Sequence, residues 1–188
     1  MDLPPIPPPG GAHPIVVHLP IGLLIAAPVL VVLSLFVWRL RQGVALAALA
    51  VMAMGATGAI LAVRTGHEAA EHARKTAAGA AAKDLIEQHE TAGERARTGA
   101  LILVVAYAFV AVVPVVRGKE WTKKNDLFLH AGFLAAYAMG LLYIAHAAHL
   151  GGRLVHERGV HAPVAAPPPP SPPDDDGDGG RGRGRGGR

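Results

Sequence analysis

Long apolar runs, separated by short or highly charged connections, set the pattern of this chain. Ile15 to Trp38 holds no Asp, Glu, Lys or Arg and carries His18, Pro20 and Pro28. Val44 to Val63 is rich in Ala, Gly and Met. Gly99 to Val116 is rich in Val, with Pro114 near its end, and Leu127 to Leu150 carries His130, His146 and His149. Each run is close to the ~20 residues that cross a ~30 Å hydrocarbon core. The runs are continuous and do not alternate with period two, which selects helices over a membrane barrel. Four membrane-spanning helices are therefore predicted.

The connections order them. Arg39 to Gly43 is a tight turn and Arg117 to Asp126 is short, so the spans pair as two antiparallel hairpins. Between the hairpins lies Arg64 to Thr98, rich in Ala, Glu, Lys and Arg, with Glu71–Lys75 and Glu68–His72 at helix-supporting spacing. Helical extensions of spans two and three are expected there, broken near Gly79. Gly55 and Ala59, Gly58 and Ala62, and Ala136 and Gly140 are small pairs that let helices approach closely. The predicted fold is an all-α integral membrane four-helix bundle over residues 13–161, with helices at about 15–38, 44–63, 99–116 and 127–150. A Pro-rich leader (1–12) and a tail (162–188) running from PPPPSPP through DDDGDGG to RGRGRGGR cannot bury a core and are expected to be disordered. Met1 to Gly11 has no Lys or Arg, so the first span is expected to stay as a helix and not to be cleaved as a signal.

Composition agrees: of 188 residues 51% are hydrophobic and 17% charged, against ~25% charged in an ordinary soluble domain. The absence of cysteine excludes disulfides, iron–sulfur clusters and thiolate chemistry. The net charge of +4 is scattered over loops and tail, so the lipid bilayer and not nucleic acid is the expected partner. Arg39 and Arg41, and Arg117, Lys119, Lys123 and Lys124, crowd the two short turns, while the leader has no cation. By the positive-inside rule the turns face the cytoplasm, and both termini and the long middle loop face outward.

Ten histidines are many for this length, and on that topology all but His130 lie on the outer side. At ~1.5 Å per residue, His18 stands about 30 Å from Trp38 and His146 about 28 Å from Leu127, so both reach the outer edge of the hydrocarbon. His149 lies one turn above His146, and His89 precedes the third span. Ionisable groups at this depth usually face the bundle interior with a partner. Converging imidazoles from His18, His89, His146 and His149 could ligate a haem iron. His13, His18 and His89 could instead hold a transition metal, and such groups also relay protons. Glu90 could orient an imidazole through its second nitrogen. The alternative is that each histidine only bonds a neighbouring carbonyl. Pro20 leaves the Val16 carbonyl free and is expected to bend the first helix beside His18. No nucleophile–base pair, phosphate loop or carboxylate within the spans points to an enzyme or a cation-coupled transporter.

The segments HPIVVHLPIGLL (His13 to Leu24), EQHE around His89 and LGGRLVHERGV (Leu150 to Val160) resemble the bacterial membrane family called domain of unknown function 2231. The resemblance covers about residues 12–161 and departs at Leu19 and His156, where family members usually carry Phe and often Tyr. It implies four helices, motif positions at His13, His18, His89, Gly151 and Gly152, and an association with cytochrome-type redox modules. Two functions follow as expectations. One is an inner-membrane protein binding b-type haem or a metal for electron transfer, with a cytochrome or other redox subunit as partner. The other is a membrane scaffold or accessory subunit without a cofactor.

Overall fold

The computed structural model describes residues 8–119 and 121–161. Residues 1–7 of the leader and the tail from residue 162 lie outside the described residues. Among the described residues six α-helices follow in order: α1 Pro9–Val16, α2 His18–Phe36, α3 Arg41–Arg74, α4 Ala77–Ala81, α5 Lys83–Arg117 and α6 Lys123–His156, with a 3-10 turn at Trp38–Leu40 between α2 and α3. No strand occurs among the described residues. Among the described residues four helical stretches are long and apolar enough to cross a membrane: Gly10–Phe36, Arg41–Arg74, Lys83–Arg117 and Lys123–His156. The fold is an all-α four-helix bundle of two antiparallel hairpins, and the protein is a multi-pass membrane protein.

α2 packs on α3, α3 on α5, α5 on α6, and α6 closes the ring against α2. The core between them holds Val31, Met52, Tyr107, Phe133 and Tyr137. Close approach falls at the small residues: a Cβ on Gly58 would meet Pro20, and one on Gly140 would stand 2.7 Å from Leu103 Cδ1. Phe36, Ile102, Val105, Phe109, Phe128 and Leu142 face outward, and lipid tails are what covers such a surface.

The helices outrun the membrane. α5 has 35 residues, or about 52 Å of helix against a ~30 Å hydrocarbon core. The excess of α3, α5 and α6 gathers at one end with α1 and α4 into a cap, cored by Ala70, Leu85, Ile86, Ala92, Leu150 and Leu154. The helical extensions expected in the long loop are thus one packed unit. Their break spans Arg74 to Lys83, where Thr76 caps α4 by accepting from Gly79 N–H at 3.1 Å. The interruption near Pro20 falls at Val17, which separates α1 from α2 but keeps helical dihedrals. Its N–H bonds the His13 carbonyl and its carbonyl accepts from Ile21 N–H, so the two run on as one stretch and both pack on α3. Because α1 begins at Pro9, the last residues of the stretch read as leader are helical.

The opposite end is finished by turn chemistry. Gly118 ends α5 at φ +60 while Lys119 N–H reaches back to the Pro114 carbonyl, a Schellman closure. Thr122 then caps α6. Arg41 and Asp126, which the sequence reading placed in exposed turns, are both buried there.

Candidate functional site

Two polar constellations lie inside the bundle, one at each end. In the cap, His13 on α1 and His89 on α5 meet edge to face, with ring centroids 6.2 Å apart. His13 Nδ1 stands 3.2 Å from Thr65 Oγ1. That hydroxyl gives its hydrogen to the Leu61 or Ala62 carbonyl, each at 3.1 Å, so it accepts from His13. His89 Nδ1–H donates to the Ala147 carbonyl at 3.0 Å. Assigned from this network, both neutral rings carry hydrogen on Nδ1 and a lone pair on Nε2. Gly66 and Gly151 make room for the rings: a Cβ on Gly151 would stand 3.0 Å from His89 Cε1, and one on Gly66 3.1 Å from His13 Cε1. Ion pairs surround the two histidines, Arg74 with Glu90 and His67 with Glu94.

The motif segments acquire physical meaning here. His13, His89 and Gly151, from three separate stretches, form one contact. Gly159 sits in the left-handed region at φ +63, and Val160 N–H reaches back to the Leu154 carbonyl while its side chain covers the cap core. A match to the family model for DUF2231, described as a predicted membrane protein, runs over residues 10–163. The chain belongs to this family. No curated protein and no solved structure matches it. The matched DUF2231 region covers the spans and the cap and ends two residues past His161.

The other candidate histidines are not drawn in. His18 is exposed, and its Nδ1 donates to the Pro14 carbonyl of the preceding turn. His146 and His149 are also exposed, on the outward side of α6. Neither meets His89, so the described residues bring together the pair of His13 and His89 and not the four-histidine group. Glu90 is engaged by Arg74, and the Ala147 carbonyl orients His89. Among the described residues no group of three or more His, Cys, Asp or Glu is placed to hold a metal ion.

The second constellation, at the turn end, was not foreseen. Arg41 Nη1 donates to Asp126 Oδ2 at 3.0 Å, with both side chains buried. Asp126 Oδ1 lies 3.6 Å from His130 Nδ1, which donates to the Asp126 backbone carbonyl at 2.9 Å. His130 Nε2 faces Tyr107 OH at 3.5 Å. Ser34, fully buried, donates to the Val31 carbonyl, and Tyr137 OH donates to the Leu24 carbonyl at 2.7 Å. These groups tie all four spanning helices together, and no buried side-chain N or O lacks a partner among the described residues. The signal available in sequence was a polar residue, Asp126, one helical turn before His130.

Proposed function

We propose that this DUF2231 protein is a bacterial inner-membrane metal-binding protein in which His13 and His89 hold one transition-metal ion at the cap, in the service of membrane electron transfer. The observation that carries it is the meeting of two motif imidazoles with their Nδ1 atoms engaged and Nε2 lone pairs left over. Fixing a ring through its second nitrogen is how proteins orient histidine ligands. Two imidazole donors suit a borderline ion such as copper, with its remaining positions open to an external ligand or a redox partner. An ion at ~2.1 Å from each of two opposed ring nitrogens puts the centroids about 6.5 Å apart, close to the spacing present. A b-type haem is less well supported: of the four histidines expected to ligate it, His18, His146 and His149 are exposed and only His89 belongs to the pair. The cationic turns would face the cytoplasm, and the cap with both termini the outside.

Elemental analysis of the protein purified in mild detergent, with oxidised and dithionite-reduced spectra, tests this. About one transition-metal ion per chain is expected, lost in His13→Ala and His89→Ala and kept in His146→Ala and His149→Ala. A Soret band would restore the haem reading. Absence of both metal and Soret band favours the scaffold. The scaffold reading has its own support, since each imidazole already has a hydrogen-bond partner and, among the described residues, no third ligand completes a metal-binding group with the pair.

A further inference from the structure

On the outer side of the α5–α6 seam runs a groove of about 430 Å³, lined by Glu87, Gln88, Thr91, Arg95, Tyr143 and His146 over the buried Ala92. Arg74, His67 and Arg153 are each paired with a glutamate. Among the described residues, Gln88, Thr91, Arg95, Tyr143 and His146 show no side-chain hydrogen bond or ion pair. Glu87 has only Lys83, at 4.0 Å and well exposed, and Asp84, also in the groove, has no partner.

The level of the groove is defined. His146 lies about 28 Å along α6 from Leu127, at the edge of the hydrocarbon. Tyr143, 46% exposed, is one turn lower, where amphipathic rings mark membrane interfaces. The contacts of Gly140 with Leu103 and of Gly151 with His89 set the register of α5 against α6 and bring Arg95 level with His146. The side chain of Arg95 tilts toward the N-terminus of α5, which is the cap end. Its guanidinium therefore rises into the headgroup layer. Below the groove and Thr98, the large exposed side chains of both helices are apolar, among them Leu101, Ile102, Met139 and Leu142.

We propose that this groove binds one zwitterionic phospholipid, its phosphate held by Arg95, His146 and Tyr143 and its ammonium by Glu87 and Asp84, with the acyl chains on the apolar faces below. Charge decides the class of lipid. Arg95 is a fork of donors suited to phosphate, while Glu87 and Asp84 would repel a headgroup that carries only negative charge. An ethanolamine headgroup supplies both signs, and no lone anion does. The site shares no residue with the histidine pair, so it stands whether or not a metal binds there.

Native mass spectrometry of the full-length protein in mild detergent tests it. The probes are phosphatidylethanolamine, phosphatidylglycerol of the same acyl chains, and inorganic phosphate. One phosphatidylethanolamine is expected to remain bound, about tenfold more strongly than phosphatidylglycerol. Arg95→Gln should weaken it about tenfold, the size of one charge-assisted hydrogen bond. Glu87→Gln with Asp84→Asn should erase the preference between the two lipids. Tyr143→Phe, which removes a single hydroxyl, should weaken binding severalfold without lowering the unfolding temperature. That separates a lost contact from a damaged fold. Equal retention of the two lipids by the native chain, unchanged retention in Arg95→Gln, or inorganic phosphate held in place of lipid would each overturn the assignment.

Discussion

Removing the carboxylate of Asp126 should be among the most damaging single changes in the spanning region. Its oxygen lies 3.0 Å from Arg41 Nη1, with side chains only 4% and 7% exposed. At an effective dielectric near 20 that separation is worth about 5 kcal/mol of Coulomb attraction. The attraction is offset by several kcal/mol of desolvation for each ion, so the intact pair is near break-even against an apolar replacement. Truncating one partner is different. The Arg41 guanidinium stays buried without this carboxylate, and His130 loses its nearby negative charge. Asp126→Ala should cost about 3–5 kcal/mol. Arg41→Met with Asp126→Leu should cost less than Asp126→Ala alone, because the desolvation is removed with both charges. Anything else that Arg41 contacts is lost equally in Arg41→Met and in the double variant, so a cycle completed with the single Asp126→Leu isolates the coupling between the two residues. The assay is equilibrium unfolding in mixed micelles titrated with a denaturing detergent, followed by circular dichroism. A cost below about 1 kcal/mol for Asp126→Ala would refute the reasoning. So would a double variant no better than the single one.

Two further outcomes are expected. Gly79→Ala should destabilise the cap far more than Gly140→Ala destabilises the bundle. The new Cβ would fall 2.0 Å from the Ala73 carbonyl oxygen, which is backbone, whereas at Gly140 it meets the mobile end of Leu103. Unfolding curves or cap hydrogen exchange with equal losses would contradict this. Because the native chain has no cysteine, single cysteines report orientation directly. Gly43→Cys, where a Cβ meets nothing within 4 Å, should react with an impermeant maleimide only from the cytoplasmic side, and exposed Ala80→Cys only from outside. The reverse pattern would invert the topology.

What the sequence determined by itself follows from the demands of a bilayer. Hydrocarbon requires an unbroken apolar run of set length with its backbone bonds closed internally, so four runs mean four helices. The fixed rise of a helix likewise let distances along a span be read from the sequence, such as that of His18 from Trp38 and of His146 from Leu127. The motif resemblance marked His13, His89 and Gly151 as positions of interest. The direction in which each side chain points was decided only by tertiary structure. In a soluble helix a polar face marks the side away from the core, but lipid is as apolar as the interior of a bundle. α2, apolar on every side, carries no such mark, so nothing in the sequence showed that His18 faces outward. On α6 the same ambiguity left His146 and His149 indistinguishable from inward ligands. Continuation of the first helical stretch through Val17 along α3 brought His13 to His89. The register of the hairpins carried Asp126 from an apparent turn to a buried place beside Arg41. Both meetings are long-range contacts between residues whose neighbours in sequence give no hint of them.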